Sequence, residues 1–200
     1  MILNLINEPF EHLVIPDFLS LEDSTELFNC LSTKVDENIS LYNNRSMFED
    51  VGHMQSSIGI FGADFPEPIK ETINNNLQQV SDYYGYDLNQ WKWVGGPNVT
   101  NPDLYLGPHT DNYGYVKQTN PNAGILKMLL YLGDGQNDYT DWGTRLYNGI
   151  DRVENFVSEV PFAPGTALVF KATKESYHGT NFHNGINSYR IIYGAELTDA

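Results

Sequence analysis

The sequence predicts a mostly β, α+β fold: a double-stranded β-helix (jelly roll) core with two helices from the N-terminal half packed on one side. Three observations predict it. Two stretches carry apolar residues at helical spacing, and both lie in the first 90 residues. From Trp91 onward the apolar runs are short and strand-like. Gly, Pro and Asn fall between these runs, where turns need them.

In order, His12-Leu13-Val14-Ile15-Pro16-Asp17-Phe18 reads as a short strand entering a turn, with His12 in an exposed lead-in. Ser20 then offers an N-cap, and Glu22 and Asp23 suit a first helical turn. Leu21, Leu27, Phe28 and Leu31 recur at helical spacing, so a helix is expected over 21–33. Residues 35–65 are polar and irregular, with a short strand expected over 58–61. A loop of this length inside a compact domain is usually functional, and it is expected to wall a substrate cleft. His53 within it reads as a solvated side chain. Pro66 and Pro68 suit a second helix start. Ile69, Ile73, Leu77, Val80 and Tyr84 then form an apolar stripe that Gly85 stops. After the Trp91–Val94 strand and the Gly95-Gly96-Pro97 break, strands are expected at the His109 stretch, 124–132, 144–147, 157–160, 166–171, 177–182 and 189–197.

The 200 residues suit one domain, with helical support over about 1–90 and the β core over about 91–197. The net charge is −15, from 26 acidic and 11 basic side chains. That balance argues against a nucleic-acid groove, which needs Lys and Arg against phosphates, and against an anionic membrane surface. Cys30 is the single cysteine, so no internal disulfide forms, and a cytoplasmic location is expected. Asn38-Ile39-Ser40 and Asn98-Val99-Thr100 match the glycosylation pattern by chance.

The chemistry concentrates in Leu104-Tyr105-Leu106-Gly107-Pro108-His109-Thr110-Asp111. On extended backbone, residues two apart share a face, so His109 and Asp111 converge on one point. Such a pair supplies two legs of a facial triad suited to non-haem Fe(II), and His178 in Tyr177-His178-Gly179-Thr180 supplies the third. His183 competes for that third place. It lies five positions from His178, so a continuous strand turns the two to opposite faces, and the Asn184-Gly185 turn signal puts His183 at a loop edge. Arg190 follows His178 by twelve positions, in the strand-like Tyr189-Arg190-Ile191-Ile192-Tyr193.

Four elements stand in order: His109-x-Asp111, the strand ending in Tyr131-Leu132, the segment Trp142 to Tyr147, and His178-Gly179-Thr180 followed by Arg190. With the Pro164–Phe170 turn and strand, they make the chain resemble the Fe(II)/2-oxoglutarate-dependent dioxygenases, in their prolyl 4-hydroxylase-like branch. The resemblance covers roughly 100–197 and, more loosely, Ile15 to Ser20 with the helix after it. Trp142 stands where the family has a glycine, and the gap from His178 to Arg190 is longer than the family's. The resemblance implies His109, Asp111 and His178 as Fe(II) ligands and 2-oxoglutarate as cosubstrate, with ascorbate supportive. It implies hydroxylation of a C–H bond with release of succinate and CO₂. The substrate would be a peptide, peptidyl proline first, or a small molecule. Asp111 sets the chain apart from the halogenase variant, which lacks this carboxylate.

Arg190 is the expected anchor for the distal carboxylate of 2-oxoglutarate, through a bidentate fork. Tyr131 shares a strand face with Leu129 and Lys127, and reads equally as a second partner of that carboxylate or as a core aromatic. Tyr105 is a third candidate. Lys127 and Arg145 are competing cations, both expected at exposed positions. Two other readings stay open: a non-enzymatic jelly-roll binding module, and a cupin-type metalloprotein, although cupins usually bring a His-x-His pair and this sequence has none.

Overall fold

The computed structural model describes residues 2–37, 55–57, 65–87, 91–93, 98–100, 107–111, 125–136, 143–180 and 190–198. The two expected helices are present. Helix α1 spans Leu21–Glu37. Ser20 caps it reciprocally: its Oγ accepts from the Asp23 N–H at 3.0 Å and donates to Asp23 Oδ2 at 2.8 Å. Helix α2 spans Glu67–Tyr84 and ends at Gly85, which takes the left-handed conformation at φ 74°. Ile69, Ile73, Leu77 and Val80 are buried along its stripe, as the period requires.

The strands are β1 (Asn4–Ile6), β2 (His12–Ile15), β3 (Gln55–Ser57), β4 (Trp91–Trp93), β5 (Asn98–Thr100), β6 (Ile125–Leu132), β7 (Thr144–Tyr147), β8 (Phe156–Val160), β9 (Ala167–Ala172), β10 (Tyr177–Thr180) and β11 (Arg190–Thr198). They form two antiparallel sheets. The large sheet runs β1-β2-β9-β6-β11-β5-β3, with β4 also on β11, and the small one runs β10-β7-β8. This is the expected jelly-roll architecture with helices on one side. Strands β1, β3 and β5 were not anticipated. Helix α1 runs on to Glu37, past the expected end at 33, and Phe65 is buried; the 58–61 strand and the rest of the cleft wall expected from 35–65 fall outside the described residues, apart from β3. Among the described residues no helix is long and apolar enough to cross a membrane.

Strand β6 organises the interior by alternation. Leu126, Met128, Leu130 and Leu132 face α1 and α2, in a core with Leu27, Leu31, Ile73 and Leu77. Leu129 and Tyr131 face the other way, into a second core between the sheets with Phe170, Leu168, Leu146 and Phe162. Strand β2 pairs with β9 in register, His12 opposite Phe170, so the N-terminal segment completes the large sheet. His12 is therefore not exposed as expected but 1% accessible. Its Nδ1–H donates to the Phe10 carbonyl at 2.8 Å, because a carbonyl only accepts. Burial lowers its pKa.

Candidate metal centre

The site forms where a segment outside the named strands meets β10. His109 and His178 exchange both backbone hydrogen bonds, N–H to C=O at 3.0 Å each way, and make an isolated antiparallel bridge. A directly opposed pair carries its side chains on one face. The two imidazoles accordingly lie with centroids 4.4 Å apart. Asp111, two residues past His109, reaches the same point. Its Oδ1 is 3.6 Å from His109 Nε2, and its Oδ2 is 3.4 Å from His178 Nε2.

Both rings are fixed from behind. His109 Nδ1 lies 2.9 Å from the Gly107 carbonyl and His178 Nδ1 lies 3.0 Å from the Ser176 carbonyl. Carbonyls accept, so each Nδ1 carries a proton, and each Nε2, turned towards Asp111, is the ring nitrogen left to ligate an ion. The Ser176 carbonyl is itself held in a closed turn: Ser176 Oγ accepts from the Thr173 N–H and donates to the Thr173 carbonyl. The Phe170 ring packs on His178 at 4.8 Å.

The donor atoms of His109, Asp111 and His178 all lie within 4.8 Å of one another. Two adjacent ligands on one ion, each about 2.1 Å from it, stand about 3 Å apart. The observed 3.4 and 3.6 Å are close to that and long for ordinary hydrogen bonds. Two imidazole nitrogens and one carboxylate are the donor set of a facial triad, so the residues fit a divalent first-row ion.

Electrostatics agree with that geometry. Burial pushes the Asp111 carboxyl up, but contacts with His109 and His178 and the charge of Lys127 outweigh it and hold the group below the usual carboxylate range. His109 is raised: burial lowers it, and the hydrogen bond and charge of Asp111, with the Gly107 carbonyl, more than reverse that. Lys127 supplies the third contact, with Nζ 3.6 Å from Asp111 Oδ2 and a side chain 14% exposed. The exposed position expected for Lys127 is thus corrected. Its pKa is lowered, burial being stronger than the Asp111 attraction. The signal was in the alternation: 127, 129 and 131 share the face that carries buried Tyr131.

Tyr131 is fully buried, stacked on Phe162 with centroids 4.9 Å apart, and its hydroxyl lies 2.6 Å from Thr144 Oγ1. Thr144 is opposite Thr180 in register, so this polar pair lines the same inter-sheet space as His178. Arg190 opens β11, opposite Thr100, and Ile192 is opposite Tyr131. By register, position 190 therefore belongs to the sheet face of Tyr131; the Arg190 guanidinium lies outside the described residues. Arg145 is half-buried rather than exposed, 3.1 Å from Glu159 and over the Phe156 ring at 4.9 Å. Tyr105, Trp142, His53 and His183 lie outside the described residues.

No protein-family model matches the sequence, and no curated protein matches it either. Solved structures do. A prolyl hydroxylase from Trichoplax adhaerens, in complex with a hypoxia inducible factor oxygen degradation domain peptide fragment, matches at TM-score 0.59 and 15% identity over 94% of this chain and 83% of that one. A Pseudomonas putida prolyl-4-hydroxylase matches at TM-score 0.54 and 12% identity over 94% and 92%. EvdO2 from Micromonospora carbonacea var. aurantiaca, complexed with 2-oxoglutarate, matches at TM-score 0.56 and 14% identity over 94% and 86%.

Proposed function

We propose, for a chain that carries the fold of the prolyl 4-hydroxylase-like 2-oxoglutarate oxygenases, that it is an Fe(II)- and 2-oxoglutarate-dependent dioxygenase. The observation that carries the reading is the convergence of His109, Asp111 and His178 with both Nδ1 protons committed to backbone carbonyls. His109, Asp111 and His178 hold the ion. When bound, iron with 2-oxoglutarate and O₂ supplies the oxidising chemistry that hydroxylates a C–H bond and releases succinate and CO₂. The protein's part is positional. The β10 bridge fixes the two imidazoles, the sheets exclude water, and Tyr131, Thr144 and Arg190 serve the cosubstrate carboxylate.

A substrate peptide, peptidyl proline first, is supported by the fold likeness and by the peptide bound to the Trichoplax enzyme. A small molecule is the alternative substrate, and a cytoplasmic location remains part of the reading.

The test is succinate formation from 2-oxoglutarate with Fe(II), ascorbate and O₂, with and without proline-containing peptides. Wild type should turn over, and His109→Ala or Asp111→Ala should lose turnover at least about 10³-fold while keeping the melting profile of a folded protein. Undetectable turnover under all metal conditions would favour a binding module, and full turnover in either variant would remove the triad from the account.

A further inference from the structure

We propose that Lys127 is a positioning residue that makes this centre a receptor for anions: its fixed positive charge weakens the bare divalent ion and strengthens a negatively charged ligand on it. The proposal rests on the reading of His109, Asp111 and His178 as metal ligands.

Lys127 sits on the inter-sheet face of β6, opposite Phe170, whose ring packs on His178. A lysine between two sheets needs an acidic partner, and its ammonium reaches Asp111 Oδ2 at 3.6 Å, the oxygen that is also 3.4 Å from His178 Nε2. An ion held by Asp111 lies about 2.1 Å from one carboxylate oxygen, and the two oxygens are about 2.2 Å apart. Whichever oxygen ligates, the ammonium is therefore within about 8 Å of the ion. At that range, in a half-buried setting, salt screens the interaction poorly.

The charges then decide the direction. Two neutral imidazoles, one carboxylate and a divalent ion leave +1, and Lys127 makes it +2. Like charges oppose loading of the metal. The same excess attracts any anion that enters the open positions, and a dianionic chelator neutralises it. A lysine that only braces the Asp111 side chain predicts something different. In that case a neutral hydrogen-bond donor would replace it, and anion binding would not change.

The test uses Co(II) as the metal probe and azide as the anion, followed by calorimetry and by the visible Co(II) spectrum. Lys127→Gln keeps a donor for Asp111 and removes the charge; Lys127→Met removes both; Lys127→Arg keeps the charge. Both neutral variants should bind Co(II) roughly tenfold more tightly than wild type and azide roughly tenfold more weakly, with Lys127→Arg close to wild type in both. Lys174→Met, at an exposed lysine beside Glu175, should change neither. Unchanged or weaker Co(II) binding in Lys127→Gln, or unchanged azide affinity, overturns the proposal. Asp111→Ala and His178→Ala separate the two levels. If they bind Co(II) like wild type, the metal reading falls and takes this inference with it. If they lose Co(II) while Lys127→Gln shows no shift, this inference alone falls.

Discussion

At the scale of single residues, His109 and Asp111 shift each other in opposite directions, and the consequence is a pH dependence with a defined sign. His109 is raised by its carboxylate partner. Its contribution to the metal-free fold is complete below the ordinary histidine value of about 6.5 and is lost as pH rises through the raised value. Asp111 is depressed, so its contribution is present above the ordinary value of about 3.9 and is lost only in strong acid. The pair therefore stabilises most between about pH 4 and 6.5. Chelator-treated protein should lose melting temperature as pH is raised from about 6 through neutrality, and His109→Gln should flatten that decline. Identical slopes in the two proteins would show that the pair does not carry the effect. Metal affinity should rise over the same range, since the His109 proton must leave before Nε2 can ligate.

At the scale of elements, two glycine turns look alike in sequence and differ in what surrounds them. Gly85 ends α2 at φ 74° with open space where a Cβ would stand. Gly165 has φ 83°, and a Cβ there would run into the Leu19 carbonyl. The Gly165 turn also ties three parts together: its N–H donates to the Tyr131 carbonyl at 2.8 Å, and its own carbonyl accepts from the Leu19 N–H at 2.9 Å. Gly85→Ala should cost about 1 kcal/mol, the strain of a left-handed alanine. Gly165→Ala should cost more than about 3 kcal/mol, because backbone must move as well. Urea titration of both variants decides this, and equal losses would mean that the Gly165 turn relaxes freely. The helices were legible because a stripe such as Ile69, Ile73, Leu77 and Val80 has a period that only one structure satisfies. Strand β1 was not, because its three residues are all exposed and owe their conformation to pairing with β2. Strand β5 has three residues as well, and no period can be read from so few.

Across the whole molecule, the architecture and the convergence of His109, Asp111 and His178 were readable because each rests on spacing along the chain. His109 and Asp111 are two apart, and the His178 strand was separable from its neighbours by turn residues. The place of Lys127 was only half readable: alternation puts it on the face of Leu129 and Tyr131, but does not say that this face is covered as well as the one towards the helices. That answer came from the second sheet and the segment after it, whose core residues Leu146, Val160 and Phe162 are 15 or more positions further along the sequence from Tyr131. Charge is the other property that belongs to the molecule rather than to a site. The chain carries −15, and among the described residues Lys70, Lys127, Arg145 and Lys174 each lie against an acidic side chain. These four cations are thus already partly neutralised, and the surplus of carboxylates repels itself in the compact state. Salt screens repulsion between exposed charges more than it weakens half-buried contacts such as Lys127–Asp111. Raising sodium chloride from about 0.02 to 0.3 M should therefore raise the melting temperature of chelated protein by about 2–4 °C, the shift that roughly 1 kcal/mol gives at this size. The same charge should keep labelled single- and double-stranded DNA unbound at about 0.15 M salt in fluorescence anisotropy. A melting temperature that falls with salt would mean that the ion pairs outweigh the repulsion. A salt-sensitive DNA complex would reveal a basic surface that the charge balance argues against.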